Sequence, residues 1–551
     1  MKYDKLFIGG DLSGIQKFLY NITSRKAAVS LKGRSASLAE DMKEIYYQKT
    51  KNAVINAGGT VTENDELYCS GGKFFFIANI NEANKVAVCQ ALDECQSSCR
   101  EYIWKEHHGQ LGINISYVAF NVKDDIVNVE GKYGEPPFEG KKKGPGQLWK
   151  VVSAGFAQQK NQRFKEYILN NYDNFFGKGS ELIMSSERKV CAVTSIEFDA
   201  KGLKEADFTI PARGDDEPII VLPSVKRQIE KGEQLRNDPL RGFRSFEDYA
   251  TTDGGNKGDT YLAILRMDVD GLGKRFITGF NSLAAYKSFS NQLCLFFEKD
   301  VEDHLLNSKV DGTNETYKKY MNVIYAGGDD LFIVGRWDKV IDFAKLIHDE
   351  TERRFSKEGI SISGGVAIVK PKYPIAKAAE MAGEAEDAAK QGEKNAFHMF
   401  GKTISWNKQS PYHANEKDFF DHEYAYVEHY KDKFVKYITS YNKDYGFSKS
   451  ILHKIMLYAE LADMNKERMS KGKSPNYSYM WHMSYYLTRF MEKYKGYGNE
   501  RNETKQEVKK ELFGFCLSLR DEHLPKNKGR NLELMAVAAR WAELLLQDNN
   551  L

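Results

Sequence analysis

Two pairs of short segments in this chain match one another at a single spacing, and that coincidence limits the fold more than any other feature. DLSGIQKFL, from Asp11, aligns with DVDGLGKRF, from Asp268; YCSGGKFFFI, from Tyr68, aligns with YAGGDDLFIV, from Tyr325; both offsets are 257 residues. Independent matches at one offset imply two copies of one domain, and so long a period rules out a solenoid. Each copy reads as strand, helix, strand, hairpin strand, helix, strand. In the second copy TYLAILRMDVD is an apolar strand, SLAAYKSFSNQLCLFFEKDVEDHLL has helical spacing, and YMNVIYAGGDDLFIVG gives two strands about a Gly-Asp turn. A helix through VIDFAKLIHDETERRF, a strand in ISISGGVAIV and a helix in IAKAAEMAGEAEDAAKQ complete it. This is the ferredoxin-like βαββαβ order, in which the first strand neighbours the central hairpin.

A chain of 551 residues exceeds one compact core, so further domains are expected. The first copy should occupy 1–125, a connecting domain 126–256, the second copy 257–407 and a helical domain 408–551. The last rests on aromatic, helix-periodic stretches such as FSKSILHKIMLYAELADM and LMAVAARWAELLLQ. The fold class is therefore α+β: two ferredoxin-like domains related by the repeat, an inserted connecting domain and a C-terminal α-helical bundle.

With 80 basic and 77 acidic residues the net charge is only +3, so any nucleic-acid surface must be a local patch. The basic run Lys141 to Lys143 could touch RNA, but reads better as a mobile charged loop. Seven scattered cysteines, an odd number, suit a reducing cytoplasm. Cys95 and Cys99 share a helix face, but no second pair at zinc spacing lies nearby, so they read as ordinary thiols. The N-terminal stretch has no signal-peptide core, and no run of about eighteen apolar residues occurs. A cytoplasmic protein with no membrane partner is expected.

Asp268 and Asp270 share one face of an apolar strand, and an acidic pair there is costly unless solvated or bound to cations. Gly327, Gly328, Asp329 and Asp330 sit at the hairpin tip beside that strand, bringing more carboxylates toward it. A divalent cation relieves their repulsion, and magnesium or manganese binds such oxygens together with those of substrate phosphates. The candidate catalytic residues are Asp268, Asp329 and Asp330, and the candidate metal set is Asp268, Val269, Asp329 and Asp330. Two such ions can activate an attacking hydroxyl and stabilise leaving pyrophosphate, which is nucleotidyl transfer. Gly271 and Gly273 let backbone N–H groups approach phosphates, Gly327 and Gly328 clear space for a nucleotide, and Lys274 and Lys394 are candidate triphosphate contacts. Gly-Asp dipeptides also mark ordinary hairpins, so the signal lies in the combination. The first copy places Ser13 opposite Asp270, Gly72 opposite Asp329 and Lys73 opposite Asp330. It has lost its metal ligands, yet Ser13, Gly14, Gly71 and Gly72 could still hold a nucleotide, giving one catalytic half and one acceptor half.

At these residues the chain resembles the large polymerase-cyclase subunit of type III CRISPR effector complexes, nearer the Csm than the Cmr form. The segments that carry the likeness are GGDLSGIQKFLYNITSRKAAVSLKGRSASL, CSGGKFFFI, LAILRMDVDGLGKRF, YAGGDDLFIVG, SGGVAIVKPKYPIAKAAEMAGEAEDAAK and GEKNAFHMFG. The resemblance implies two palm domains and conversion of ATP into cyclic oligoadenylates when the complex meets target RNA, with Asp268, Asp329 and Asp330 holding the metals. It implies as partners the other effector subunits, a guide RNA and the target RNA. An alternative product joins AMP to S-adenosylmethionine as co-substrate, and an alternative from another class is a non-catalytic scaffold for the RNAs. Two departures matter. The chain starts almost at the first palm, so the HD nuclease domain of many relatives is not expected, nor is cleavage of single-stranded DNA; the His348-Asp349 dipeptide reads as a solvated helix face. Only Cys191 remains where relatives carry a zinc knuckle, so no zinc is expected.

Overall fold

The computed structural model describes residues 3–22, 26–107, 109–123, 126–130, 145–162, 164–170, 188–211, 217–238, 242–251, 261–280, 282–392, 394–406, 412–413, 419–420, 422–522 and 530–548. Lys141 to Lys143 lie outside them. The fold is mixed α+β and divides into two compact units: Met1–Ala250 with Leu262–Ile360 and Ile368–Glu380, and Thr251–Tyr261 with Ser361–Ala367 and Met381–Leu551.

The first unit opens with β1 (Lys5–Ser13), α1 (Ile15–Tyr20) and α2 (Ala27–Glu40), followed by the hairpin β2 (Glu66–Ser70) and β3 (Lys73–Asn79). Helix α3 (Lys85–His107) leads to β4 (Gly112–Lys123) and β5 (Ile126–Val129). The sheet runs β2-β3-β1-β4-β5, so β1 is central. Leu6, Phe7 and Ile8 are consecutive and all buried, which requires cover on both faces. One cover is α3, through Val88, Leu92, Cys99 and Ile103. On the opposite side α4 (Gly146–Lys160) lies against β1 and β4, its Trp149 ring 4.1 Å from that of Phe75. Helix α5 (Pro223–Arg236) packs along α2.

The same unit continues with β6 (Leu262–Val269), α6 (Leu272–Thr278), a helix from Leu283 to Leu305 whose second half widens into π-type turns, β7 (Met321–Gly327), β8 (Asp330–Arg336) and α7 (Trp337–Phe355). Strand β6 pairs antiparallel with β8, and β8 with β7. Several features of these elements recur at the 257-residue offset. Asp11 pairs with Lys73 as Asp268 pairs with Asp330, and both hairpins carry an irregularity at one place, between Glu66 and Tyr68 and between Val323 and Tyr325. Helices α1 and α6 start at matching residues behind left-handed glycines, Gly14 (φ 89°) and Gly271 (φ 67°).

Helix α7 corrects one expectation. Val340, Ile341, Ala344, Ile347, Thr351 and Phe355 form its buried stripe, and His348, four residues after Ala344, falls on it with 3% of its surface exposed. The pair is therefore not a solvated face: only Asp349 reaches solvent, and the His348 ring Nδ1 lies 3.1 Å from its carboxylate.

Strand β9 (Ile362–Val369) enters the second unit through residues 362–367, where Gly364 and Gly365 pair in parallel with β10 (Ala396–Met399), and β10 pairs antiparallel with β11 (Lys402–Ser405). Among the described residues the α-helices that follow are α8 (Glu423–Tyr445), α9 (Ser450–Ser470), α10 (Ser478–Glu492), α11 (Glu503–Glu522) and α12 (Asn531–Asp548). Their core is aromatic: Phe515 meets Tyr430, Phe434, Tyr437 and Phe447.

Candidate active site

Strand pairing brings the acidic residues together. Asp268 stands directly opposite Asp330 across β6 and β8, and the Val269 N–H donates to the Asp329 carbonyl at 3.1 Å. Paired strand residues point to one side, so Asp268 and Asp330 share a face of the sheet. Together with Asp329 and Tyr325 they form one wall of a cavity of about 470 Å³. The opposite wall comes from the first copy: Gly14, Gln16, Lys17 and Tyr20 of the β1–α1 turn and helix, and Gly71 and Lys73 of its hairpin.

The two hairpin tips interlock. The Gly328 N–H donates to Ser70 Oγ at 3.0 Å in a buried contact. Gly71 has φ 56°, and a Cβ there would lie 2.9 Å from both the Gly327 oxygen and Gly328 Cα. Gly328 has φ 71° and would meet the Tyr68 hydroxyl at 2.6 Å, so neither position accommodates a side chain. Gln16 Nε2 donates to Asp330 Oδ2 at 2.9 Å, one half orienting a carboxylate of the other. Burial first, then the charges of Asp330 and Asp329, push the Tyr325 phenol well above its usual range, so it stays protonated and cannot act as a base.

The remaining sequence candidates scatter. Gly14, Gly71, Gly327 and Gly328 are at the interlocked tips or the cavity wall, and Gly72 (φ 77°) is packed against Ile15. Ser13 Oγ donates to the Gly112 carbonyl at 3.0 Å. Asp270 is buried at the end of β6, while Gly271, Gly273 and Lys274 are exposed around the start of α6 and do not line the cavity. Lys394 belongs to the second unit, exposed, at φ 62°. All seven cysteines are free thiols; Cys95 and Cys99 stand 4.0 Å apart at sulfur, and Cys191 is buried. Sequence reasoning did not single out Gln16, Lys17 or Tyr20 as lining this cavity, or Ser70 as the acceptor for the Gly328 N–H.

The matching place in the first copy is closed. Asp11, counterpart of Asp268, is buried and forms an ion pair with Lys160 of α4 at 3.0 Å. Trp149 covers Phe75, counterpart of Phe332, whose ring in the second copy meets Tyr20 at 4.6 Å instead.

The likeness of these halves to known proteins follows the same division. Residues 5–177 match the family description Csm1 subunit domain B, and residues 261–398 match the Cas10/Cmr2 second palm domain. The chain belongs to the Cas10/Csm1 family. The Cas10/Csm1 single-strand-specific deoxyribonuclease (subtype III-A) of Enterococcus italicus is 26% identical over 464 residues, covering 75% of this chain and 56% of that protein. Its counterpart in Methanocaldococcus jannaschii is 25% identical over 541 residues, covering 81% and 63%. The chain thus spans less than two thirds of the length of these relatives. Among solved structures, a Csm1–Csm4 cassette in complex with cA3 matches with TM-score 0.57 at 16% identity, covering 98% of this chain and 70% of that one. The cassette in complex with AMPPNP gives 0.56 at 18%, with the same coverage. At those identities the match speaks for the fold. Among the described residues no helix is long and apolar enough to cross a membrane.

Proposed function

We propose that this chain is the polymerase-cyclase subunit of a type III CRISPR effector complex, converting ATP into cyclic oligoadenylates by nucleotidyl transfer. The observation that carries the reading is the register of Asp268 against Asp330, with Asp329 at the same tip, in a cavity walled by both copies. We read the copies as two ferredoxin-like palms, at 1–125 and 257–407, with a connecting domain at 126–256 and a helical domain at 408–551.

The donor set is oxygen only and anionic, which fits magnesium or manganese. Asp268, Asp329 and Asp330 would hold the metal, which when bound supplies activation of the attacking hydroxyl and charge neutralisation at the leaving pyrophosphate. The chain's own side chains bind and orient. Lys17 and Lys73 present ammonium groups to phosphates, Gln16 fixes the Asp330 carboxylate, and Gly14 and Gly71 leave bare backbone on the cavity wall for the nucleotide. We assign the acceptor nucleotide to the wall formed by the first copy and the donor to the acidic wall. Related Csm1–Csm4 cassettes have been solved in complex with one ATP, with pppApA and with cA4, which supports an adenine nucleotide substrate and a Csm4-type partner. Guide and target RNA complete the proposed assembly.

The test is product analysis by mass after incubating the target-bound complex with labelled ATP and magnesium, with and without S-adenosylmethionine. Cyclic oligoadenylate is expected, and the double change Asp329→Ala, Asp330→Ala should reduce it to background. Undiminished product in that variant would sink the assignment; a product joining AMP to the metabolite would replace the acceptor; no product from either protein would leave the scaffold role.

A further inference from the structure

A second cavity, of about 480 Å³, opens along β6 in the same unit. Because strand side chains alternate, Leu262, Ile264, Arg266 and Asp268 share one face. Leu262 and Ile264 line the second cavity and Asp268 the first, so the two lie on one face of one strand, roughly 13 Å apart by strand rise. Its floor is apolar, built from the buried Val29, Phe243, Leu262, Ile264 and Val369.

The rim is cationic. Among the described lining residues Lys26, Arg236, Arg244, Lys370 and Lys372 stand with two acidic ones, Glu233 and Glu247, and Lys26 takes Glu233 in an ion pair at 3.5 Å. The side chains of Arg236, Arg244 and Lys372 make no ion pair among the described residues. Lys370 and Lys372 are held on one tight turn, Lys370-Pro371-Lys372-Tyr373, closed by the Tyr373 N–H to the Lys370 carbonyl at 2.9 Å. Proline at its second position fixes the backbone there, and Tyr373 stands at the lip, 43% exposed. Cations converging above an apolar floor repel one another, and a ligand that answers both features carries several negative charges on a flat, weakly polar body.

We propose that this cavity is a second nucleotide site, with the base on the apolar floor beside Tyr373 and the phosphates toward Arg236, Arg244 and Lys372. It needs nothing from Asp268, Asp329 or Asp330, so it stands or falls apart from the reaction proposed above. Its place on β6 suits a phosphorylated oligonucleotide that reaches from the carboxylates past Arg266.

The experiment is a titration of the full chain carrying Asp329→Ala and Asp330→Ala with fluorescent ATP in EDTA, followed by anisotropy. Saturable binding is expected, weakened about tenfold or more by adding Arg236→Ala and Lys372→Ala, since charge-assisted contacts to phosphate are lost. Unlabelled ATP should compete well ahead of inorganic triphosphate. Equal affinity in the rim variant, with its melting temperature unchanged, overturns the proposal. Equal competition by triphosphate also overturns it, reducing the cavity to an anion site. Turnover of ATP with magnesium by the chain with its carboxylates intact is read separately, so failure here leaves the reaction untouched.

Discussion

Replacing Gly71 by Ala should separate the two hairpin tips. The new methyl would sit 2.9 Å from the Gly327 oxygen and from Gly328 Cα, both backbone atoms that cannot rotate away. The residue must also hold φ 56°. The left-handed conformation costs about 1 kcal/mol, and overpacking against backbone about 1–3 more, giving about 2–4 kcal/mol in all. Gly271→Ala is the control: it imposes a similar backbone demand at φ 67° but meets nothing within 4 Å, so only the first contribution applies. Because two compact units need not unfold together, the readout is native-state hydrogen exchange of the β7 and β8 amides. Gly71→Ala should lower their opening free energy by about 1–3 kcal/mol more than Gly271→Ala. Since Asp329 follows Gly328 directly, a shift of about 1 Å there should also lower product formation on the order of a hundredfold. Equal losses in the two variants would refute the interlocked tips.

Three further outcomes follow from the same geometry. Gln16→Ala removes the contact to Asp330 and should raise the magnesium concentration for half-maximal activity about tenfold or more, with thermal stability unchanged because Gln16 is exposed; an unaltered metal titration would show the contact is idle. Ser70→Ala strips the buried Gly328 N–H of its acceptor and should cost about 1–3 kcal/mol in the exchange measurement on β7 and β8. Arg353 above all, with Arg354, outweighs burial and holds the Glu350 carboxyl at about 2 against an ordinary 4.5, so the folded state binds fewer protons than the unfolded one across that window. The stability Glu350 contributes is therefore whole above pH 4.5 and lost as pH falls toward 2, and Glu350→Gln should flatten acid unfolding over that range.

The acidic cluster was legible because strand period and hairpin register are local rules: once TYLAILRMDVD and YAGGDDLFIV are strands, Asp268 and Asp330 need only the neighbouring order to meet. The 257-residue offset recurs in the strand irregularities before Tyr68 and Tyr325. The opposite wall was not legible. Gln16, Lys17 and Ser70 act across the contact between two copies, and no periodicity within one segment encodes which residues another segment will face. Lys274 is exposed on the first turn of α6, behind the left-handed Gly271, where a segment read alone gives no side-chain direction. His348 belongs to the buried stripe by its spacing from Ala344 to Phe355, and its polar neighbour Asp349, one residue on, is what turns to solvent.

The ion pair of Asp11 with Lys160 makes the two halves unequal in a way that residue swaps alone would not reverse. Writing aspartates back at positions 72 and 73 would restore the acidic lettering of the first half, but the ammonium of Lys160 already neutralises Asp11 and Trp149 fills the adjoining face. A second open acidic cluster in this chain would first require α4 to leave. The inequality of the two halves is held by α4, a helix that lies outside the segments matching one another at the 257-residue offset.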